Sequence, residues 1–147
     1  MKRTAMNLMM TLVCAAVLAT VAAAAFTTAL MTAKIPFDFN VGNQTLPAGT
    51  YTVSRSDTNS VVILRNEKSA KSMLLVTNAS QGGVTNEKAQ LDFRRYGDQY
   101  FLGAIKPAGT NNNFVAPTSR RERAVAEEAK NLARRQTSPE IVTITSK

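Results

Sequence analysis

The sequence has no histidine, no tryptophan and a single cysteine, Cys14, among its 147 residues. Without histidine, the Ser–His–Asp and Cys–His catalytic mechanisms are excluded. Cys14 lies in an apolar N-terminal run, so the rest of the chain can neither form an internal disulfide nor supply the Cys and His ligands of an ordinary zinc site. A stable core must therefore form from side-chain packing alone.

The N-terminus has the pattern of an export signal. Lys2 and Arg3 precede an uncharged, alanine-rich run over residues 6–26, and the next charge is Lys34. A positive start, an apolar centre and small residues at its end are typical of a secretory signal peptide. We expect a signal peptide over residues 1–33, cleaved somewhere in 24–33, and a protein secreted to the periplasm or the cell exterior.

A retained membrane anchor is the alternative for this segment. A membrane-spanning helix needs about 20 mostly apolar residues, and the run over residues 6–26 is just long enough. The run of alanines at residues 22–25 favours cleavage, because small residues are what the peptidase requires.

The remaining residues, 34–147, are predicted to form one β-rich domain of about 115 residues. The net charge is +8, and removal of the two leader cations leaves +6. Such a charge attracts an anionic glycan or lipid surface, although it also serves simply to keep the protein soluble. We find no specific signal for nucleic-acid binding and no motif for a cofactor.

Residues 34–41 alternate between polar and apolar side chains, which predicts a half-buried strand. Asn40 is among the positions expected to face solvent, and Pro36 is expected at an edge because it cannot donate a backbone hydrogen bond. The apolar face of this strand consists of Ile35, Phe37, Phe39 and Val41.

Further strands follow, separated by turns. The sequence L-P-A-G-T-Y-T-V at residues 46–53 predicts a turn in which Gly49 takes the left-handed conformation. Short apolar runs at 61–64 and 73–76 predict two strands. A hairpin is predicted where Gln90–Tyr96 and Gln99–Lys106 flank the two-residue turn at 97–98, and the three asparagines at 111–113 predict a polar loop.

The period of the pattern changes near the C-terminus. Ser119 and Glu122 match a capping box, in which each side chain accepts a hydrogen bond from the other residue's backbone N–H. A helix is predicted over residues 120–135, with a narrow apolar stripe, and a final β-branched strand over 140–146. The predicted fold is all-β: a small antiparallel sandwich or barrel of about seven strands with one α-helix in the C-terminal region.

Two segments, I-P-F-D-F-N-V-G at residues 35–42 and L-P-A-G-T-Y-T-V at 46–53, carry a family resemblance. With the signal peptide, they make the chain similar to a family of small secreted bacterial β-proteins with an I-P-F-x-F-x-V-G opening and an L-P-A-G-x-Y-x-V hairpin. That family has no assigned function. The resemblance implies a bacterial, exported, non-catalytic domain and supplies no functional residues.

The strongest candidate binding feature is the basic character of the predicted helix. Glutamates alternate with its cations, so a solvated helix face and contact with a polyanion or anionic lipid are both open readings. Arg94 and Arg95, beside Tyr96, could extend such a patch. The residues predicted to contact an anion are Arg120, Arg121, Arg123, Lys130, Arg134 and Arg135.

A second hypothesis concerns the first predicted strand. An alternating strand near the N-terminus of the mature chain could pair with a neighbouring molecule instead of its own sheet, giving a self-associating fibre or surface subunit. The alternative is that its residues simply complete their own core. The residues involved in such strand exchange would be Ile35, Phe37, Phe39 and Val41.

Catalysis by paired carboxylates is the remaining enzymatic possibility. The candidates Asp38, Asp57, Asp92 and Asp98 lie in predicted turns or on outward faces, and no tryptophan is present to stack a sugar. We therefore predict no enzyme activity, no metal and no cofactor, and expect a secreted non-catalytic domain with a binding or cell-envelope role.

Overall fold

The computed structural model describes residues 27–56, 60–69, 71–133 and 138–146, and in them the chain forms two β-sheets and one α-helix. The predicted leader up to residue 26, Asp57, Arg134 and Arg135 lie outside this part, as do the side chains at 132–133. The elements are β1 (Thr27–Ile35), β2 (Phe39–Val41), β3 (Gln44–Leu46), β4 (Gly49–Ser56), β5 (Val61–Asn66), β6 (Ser72–Val76), β7 (Asn78–Gln81), β8 (Gln90–Tyr96), β9 (Gln99–Lys106), β10 (Asn112–Val115), α1 (Arg120–Ala133) and β11 (Glu140–Thr145).

The strands divide into two sheets. Sheet A has the order β1-β4-β5-β6, with every neighbouring pair antiparallel. Sheet B has the order β11-β8-β9-β10-β7, and β2 adds to it by pairing in parallel with β9 and antiparallel with β3. The inner faces of both sheets contribute to one apolar core, in which Tyr51 and Val53 of sheet A lie with Leu91 and Phe93 of sheet B. The predicted all-β sandwich is confirmed, with one helix in the part of the chain that the structure describes.

The number of strands differs from the prediction of about seven, because eleven occur in the described residues. Strands β3, β7 and β10 have only three or four residues, of which at least half are polar, so they carry little of the alternation by which a strand is recognised. The three-asparagine segment was predicted to be a loop, which is wrong for 112–113: these residues begin β10 and pair with β7.

The predicted strand over residues 34–41 is divided between the two sheets. Ile35 ends β1 in sheet A, and Phe39 begins β2 in sheet B. Pro36 is exposed in the segment between them, where its missing N–H leaves no gap in either ladder. The periodicity persists because both segments face the same core, so the alternation alone cannot reveal the crossing.

Asn40 is buried, contrary to its predicted solvent-facing position. Its Nδ2 donates to the backbone oxygen of Tyr100 at 3.1 Å, and its Oδ1 accepts a hydrogen bond from Thr45 Oγ1 at 2.8 Å. These bonds satisfy both ends of the amide where β2 passes beside β9, which is what burial of a polar side chain requires.

Strand β1 begins at Thr27, inside the segment predicted to be leader. Met31 and Ala33 are buried in the core, and β1 stays in register with β4 from Thr27 to Ile35 apart from one shift near Met31. The domain boundary expected at residue 34 therefore falls inside a strand.

The turns confirm the hairpin but not the conformation of Gly49. Tyr96 and Gln99 are register partners around a two-residue turn in which Gly97 has φ +57°, a left-handed value that suits glycine. Gly49 is not left-handed; it begins β4, and a Cβ there would lie 3.2 Å from Asn66 Nδ2. Glycine at this position therefore permits the Asn66 side chain to come close to the backbone, and the backbone conformation itself does not require it.

Candidate functional site

Helix α1 begins at a cap that the sequence predicted in part. The N–H of Glu122 donates to Ser119 Oγ at 3.0 Å, which confirms one half of the capping box. The Glu122 carboxylate does not complete the other half, because it extends to Arg94 of β8. The helix is thereby attached to the outer face of sheet B, opposite the main core.

Arg94 and Glu122 form an ion pair in which the carboxylate is buried and the guanidinium is half-buried. Arg94 Nη2 donates to Glu122 Oε2 at 3.0 Å and Nε donates to Oε1, so the two groups meet in a bidentate arrangement. Nη2 also lies 3.4 Å from the backbone oxygens of Leu102 and Ala116. Glu122 is 1% exposed. An ion pair at this depth is tolerated because further acceptors satisfy the guanidinium.

Two aromatic residues complete this joint between helix and sheet. The Tyr96 hydroxyl donates to Glu122 Oε1 at 3.4 Å, and its ring meets Phe101 edge to face at 5.9 Å. Burial raises the pKa of the Tyr96 phenol above its ordinary value of 10.0, and the negative charge of Glu122 raises it further. Phe101 is buried although it lies apart from the main core. The joint therefore has its own small apolar layer.

The joint was not predicted from the sequence, in which Glu122 matches a cap and Arg94 lies where it could extend the basic patch. A signal was available: Glu122 falls on the same helical stripe as Val125 and Ala129, three and seven residues later. A charge on the apolar stripe of a helix indicates a buried partner. In the structure that partner is Arg94, and Arg94 therefore does not extend the surface patch.

The predicted anion-contact residues divide among several surroundings. Arg120, Arg121 and Arg123 are exposed at the start of α1, and Arg121 Nη1 donates to Thr45 Oγ1 at 3.0 Å. Lys130 Nζ lies 2.9 Å from Glu127 Oε1 in an exposed pair, as expected for i,i+3 neighbours on a helix. Arg134 and Arg135 lie outside the described residues.

A cleft of about 450 Å³ opens between β3 and the start of β6. The residues that line it include the apolar Leu46, Leu64 and Met73 and one cation, Lys71. Thr45 lines the same cleft and accepts the hydrogen bond from Arg121, which is not itself a lining residue. The volume lies within the range of about 300–1,000 Å³ that is usual for small-ligand sites.

The predicted strand-exchange residues lie within this molecule's own core. Ile35, Phe39 and Val41 are 1% exposed or less. Phe37 is half-buried and stacks on Tyr100 with a centroid distance of 3.8 Å. A swapped strand would bury the same side chains in the same surroundings, so strand exchange stays a prediction.

The acidic candidates outside the joint have structural partners or lie in a turn. Asp38 Oδ1 accepts the N–H of Ala48 at 2.8 Å, and Asp98 is exposed in the hairpin turn. Asp92 contacts Lys106 Nζ at 2.7 Å and accepts a hydrogen bond from Thr143 at 2.7 Å. Asp57 lies outside the described residues, among which no cluster of three or more His, Cys, Asp or Glu side chains could hold a metal ion.

Comparison with known proteins finds no matching family model, no matching curated protein and no matching solved structure. The family resemblance inferred from residues 35–53 accordingly stays a prediction. In the described part of the chain, no helix has the length and apolar character needed to cross a membrane.

Proposed function

We propose that this chain is an exported, non-catalytic binding domain, and that the cleft between β3 and β6 takes an anionic glycan. The pattern of the first 26 residues supports export. The cleft supports binding, since its wall combines apolar side chains with polar groups that could orient a ligand.

The observation that carries the proposal is the charge at this cleft. Lys71 lines it, and Arg121 is bonded to its wall through Thr45. None of the described residues that line it is acidic. An anionic ligand would gain charge-assisted hydrogen bonds there without facing a carboxylate. The bond to Thr45 supports the assignment of Arg121, one of the predicted anion-contact residues, to the rim of the proposed site.

The use of the carboxylates supports a non-catalytic role. A general acid or base needs a carboxyl group that can reach a substrate. Glu122 is held by Arg94, and Asp92 is held by Lys106 and Thr143. We therefore assign both carboxylates to stabilisation of the fold. Turnover of a glycan that disappeared on substitution of one acidic residue would contradict this assignment.

The test is calorimetric titration of the exported protein with sulfated and carboxylated oligosaccharides, at about 20 mM and about 200 mM salt. We expect binding that weakens with salt, because the ligand displaces ions from the site. Lys71→Ala and Arg121→Ala should each weaken it about fivefold or more, whereas Lys88→Ala, at an exposed loop position, should not. Absence of binding at low salt, or equal weakening by all three variants, would overturn the proposal.

An anionic lipid surface is the competing ligand. Vesicles containing about 30% anionic lipid serve as a second arm of the same titration. If they bind more tightly than the oligosaccharides and Lys71→Ala has no effect, the helix cations act as a membrane contact and the cleft is not the site.

A further inference from the structure

One edge of sheet A lacks the devices that usually protect an open strand edge. In the described part of the chain, β6 pairs with β5 on one side and with no strand on the other. Its sequence, S-M-L-L-V, contains no charge, no proline and no bulge. Natural edge strands generally carry at least one of these, because an open edge pairs readily with another chain.

The other edges of the two sheets differ from β6 in this respect. Strand β1 contains Lys34 and a register shift near Met31. Strand β7 is four residues long and consists of polar residues and one alanine, and β11 begins with Glu140. Strand β3, which pairs only with β2, has three residues, two of them polar. The combination of an apolar sequence and a regular ladder is therefore particular to β6 among these five edges.

The hydrogen bonds of β5 show which backbone groups of β6 point outward. Thr77 N–H donates to Ser60 O at 2.7 Å, and Asn66 N–H donates to Lys71 O at 3.0 Å. Because hydrogen-bonded pairs alternate along an antiparallel ladder, Leu75 and Met73 bond to β5. The N–H and C=O groups on the open side consequently belong to the remaining residues of the strand, Ser72, Leu74 and Val76.

The side chains on the outer face of this edge are apolar and exposed. Leu74 is 65% exposed and Val76 is 66% exposed. Their register partners on β5, Ile63 and Val61, are half-buried on the same face. The edge thus combines unpaired backbone groups with a continuous apolar surface.

We infer that β6 pairs antiparallel with β6 of a second copy of this chain, around a two-fold axis at Leu74. Leu74 then lies opposite Leu74 of the second copy, and Ser72 lies opposite Val76. Three pairs of residues exchange backbone hydrogen bonds, and the two copies of sheet A become one eight-stranded sheet. The inference does not depend on the ligand of the cleft.

The charges next to β6 favour this antiparallel arrangement of two identical chains. Lys71 would lie opposite Thr77 of the second copy, and the two Lys71 side chains would be separated by six residues, about 20 Å along the strand. That distance exceeds the Debye length of about 8 Å at physiological salt, so their repulsion is screened. A parallel pairing would place the two lysines side by side.

The size of the contact sets the expected strength. Each copy contributes one five-residue strand and two exposed apolar side chains, Leu74 and Val76. Together they bury less than the roughly 1,200 Å² of a standard interface. We therefore expect a weak dimer, with the dimeric fraction rising between roughly 10 µM and 1 mM.

The first test measures the molar mass by light scattering, using the exported protein recovered from cells that express the full chain. The wild type should shift from monomer to dimer with concentration. Leu74→Lys should raise the dissociation constant at least tenfold with an unchanged circular dichroism spectrum, whereas Val84→Lys should not. Val84 is a matched control because it is 82% exposed in a loop. A wild type that stays monomeric at 1 mM, or a Leu74→Lys protein that dimerises normally, would overturn the inference.

The second test reads the register directly and uses a Cys14→Ser background. Residues opposite each other in a hydrogen-bonded pair have Cα atoms about 5.5 Å apart, which a disulfide can span. Leu74→Cys should therefore form a covalent dimer on mild oxidation. Val76→Cys alone should not, but Val76→Cys combined with Ser72→Cys should. Equal cross-linking of Leu74→Cys and a Val84→Cys control would show random collision and contradict the inference.

Discussion

Arg94 and Glu122 connect the single described helix to sheet B through a bidentate ion pair, with 3.0 Å between Arg94 Nη2 and Glu122 Oε2. Glu122 is 1% exposed, whereas the apolar residues of the same stripe, Val125 and Ala129, are only half-buried. The helix is therefore anchored by a charge as well as by apolar contact. The position of the helix therefore depends on both Arg94 and Glu122.

Removal of one partner should destabilise the protein strongly. Glu122→Ala leaves the Arg94 guanidinium without its counter-charge, and we expect the free energy of unfolding to fall by about 3–5 kcal/mol. The exposed control Glu127→Ala should change it by no more than about 0.5 kcal/mol. Urea denaturation followed by circular dichroism measures both values.

Replacement of both partners distinguishes a structural role from a functional one. Arg94→Met combined with Glu122→Leu substitutes apolar groups of similar size, and buried pairs exchanged in this way are often neutral or stabilising. We expect the double variant to recover most of the stability lost in Glu122→Ala. A double variant less stable than either single variant would show that the joint needs the charges themselves.

Tyr96 should give the stability of the protein a dependence on alkaline pH. Its pKa is raised in the folded state by burial and by Glu122, so the folded protein retains the phenolic proton longer than the unfolded chain does. Its contribution is complete below the unfolded value of 10.0 and is lost as the pH rises through the folded pKa. The stability of the wild type relative to Tyr96→Phe should therefore decline above pH 10, measured by urea denaturation at a series of pH values. A constant difference would contradict the assignment.

The position of β1 predicts where the folded domain must begin. A chain of residues 27–147 retains all of β1, whereas one of residues 34–147 lacks the buried Met31 and Ala33 and most of the ladder with β4. Burial of Met31 alone contributes about 1.5–3 kcal/mol. We expect thermal unfolding, followed by circular dichroism, to show a cooperative transition for the longer chain and a much lower Tm or none for the shorter. Equal Tm values would show that β1 is dispensable.

The sequence predicted those parts of the fold in which local pattern and burial agree. The hairpin around Gly97 and the start of helix α1 are found as expected, because turn chemistry and capping are encoded by adjacent residues. The crossing at Pro36 was not predictable, since both sides of it face one core and keep the same alternation. Strand β10 was missed because it begins with two asparagines, and its two apolar residues, Phe114 and Val115, are too few to show alternation.

The candidate site depended on contacts between residues distant in sequence. Arg121 and Thr45 are 76 residues apart, and no local pattern relates them. The open edge of β6 likewise follows from strand order, which periodicity does not determine. The cations at the start of α1, in contrast, were identified from the sequence, and the structure adds that Arg121 donates to Thr45, a residue of the cleft wall.

The central prediction is export followed by removal of a leader that ends before β1. The direct measurement is the intact mass of the protein recovered from the periplasm or medium of bacteria that express all 147 residues. We predict a mature chain that begins at residue 25, 26 or 27, so that β1 is retained whole. A chain of full mass in the cytoplasm, or a mature chain that begins at Lys34, would contradict it.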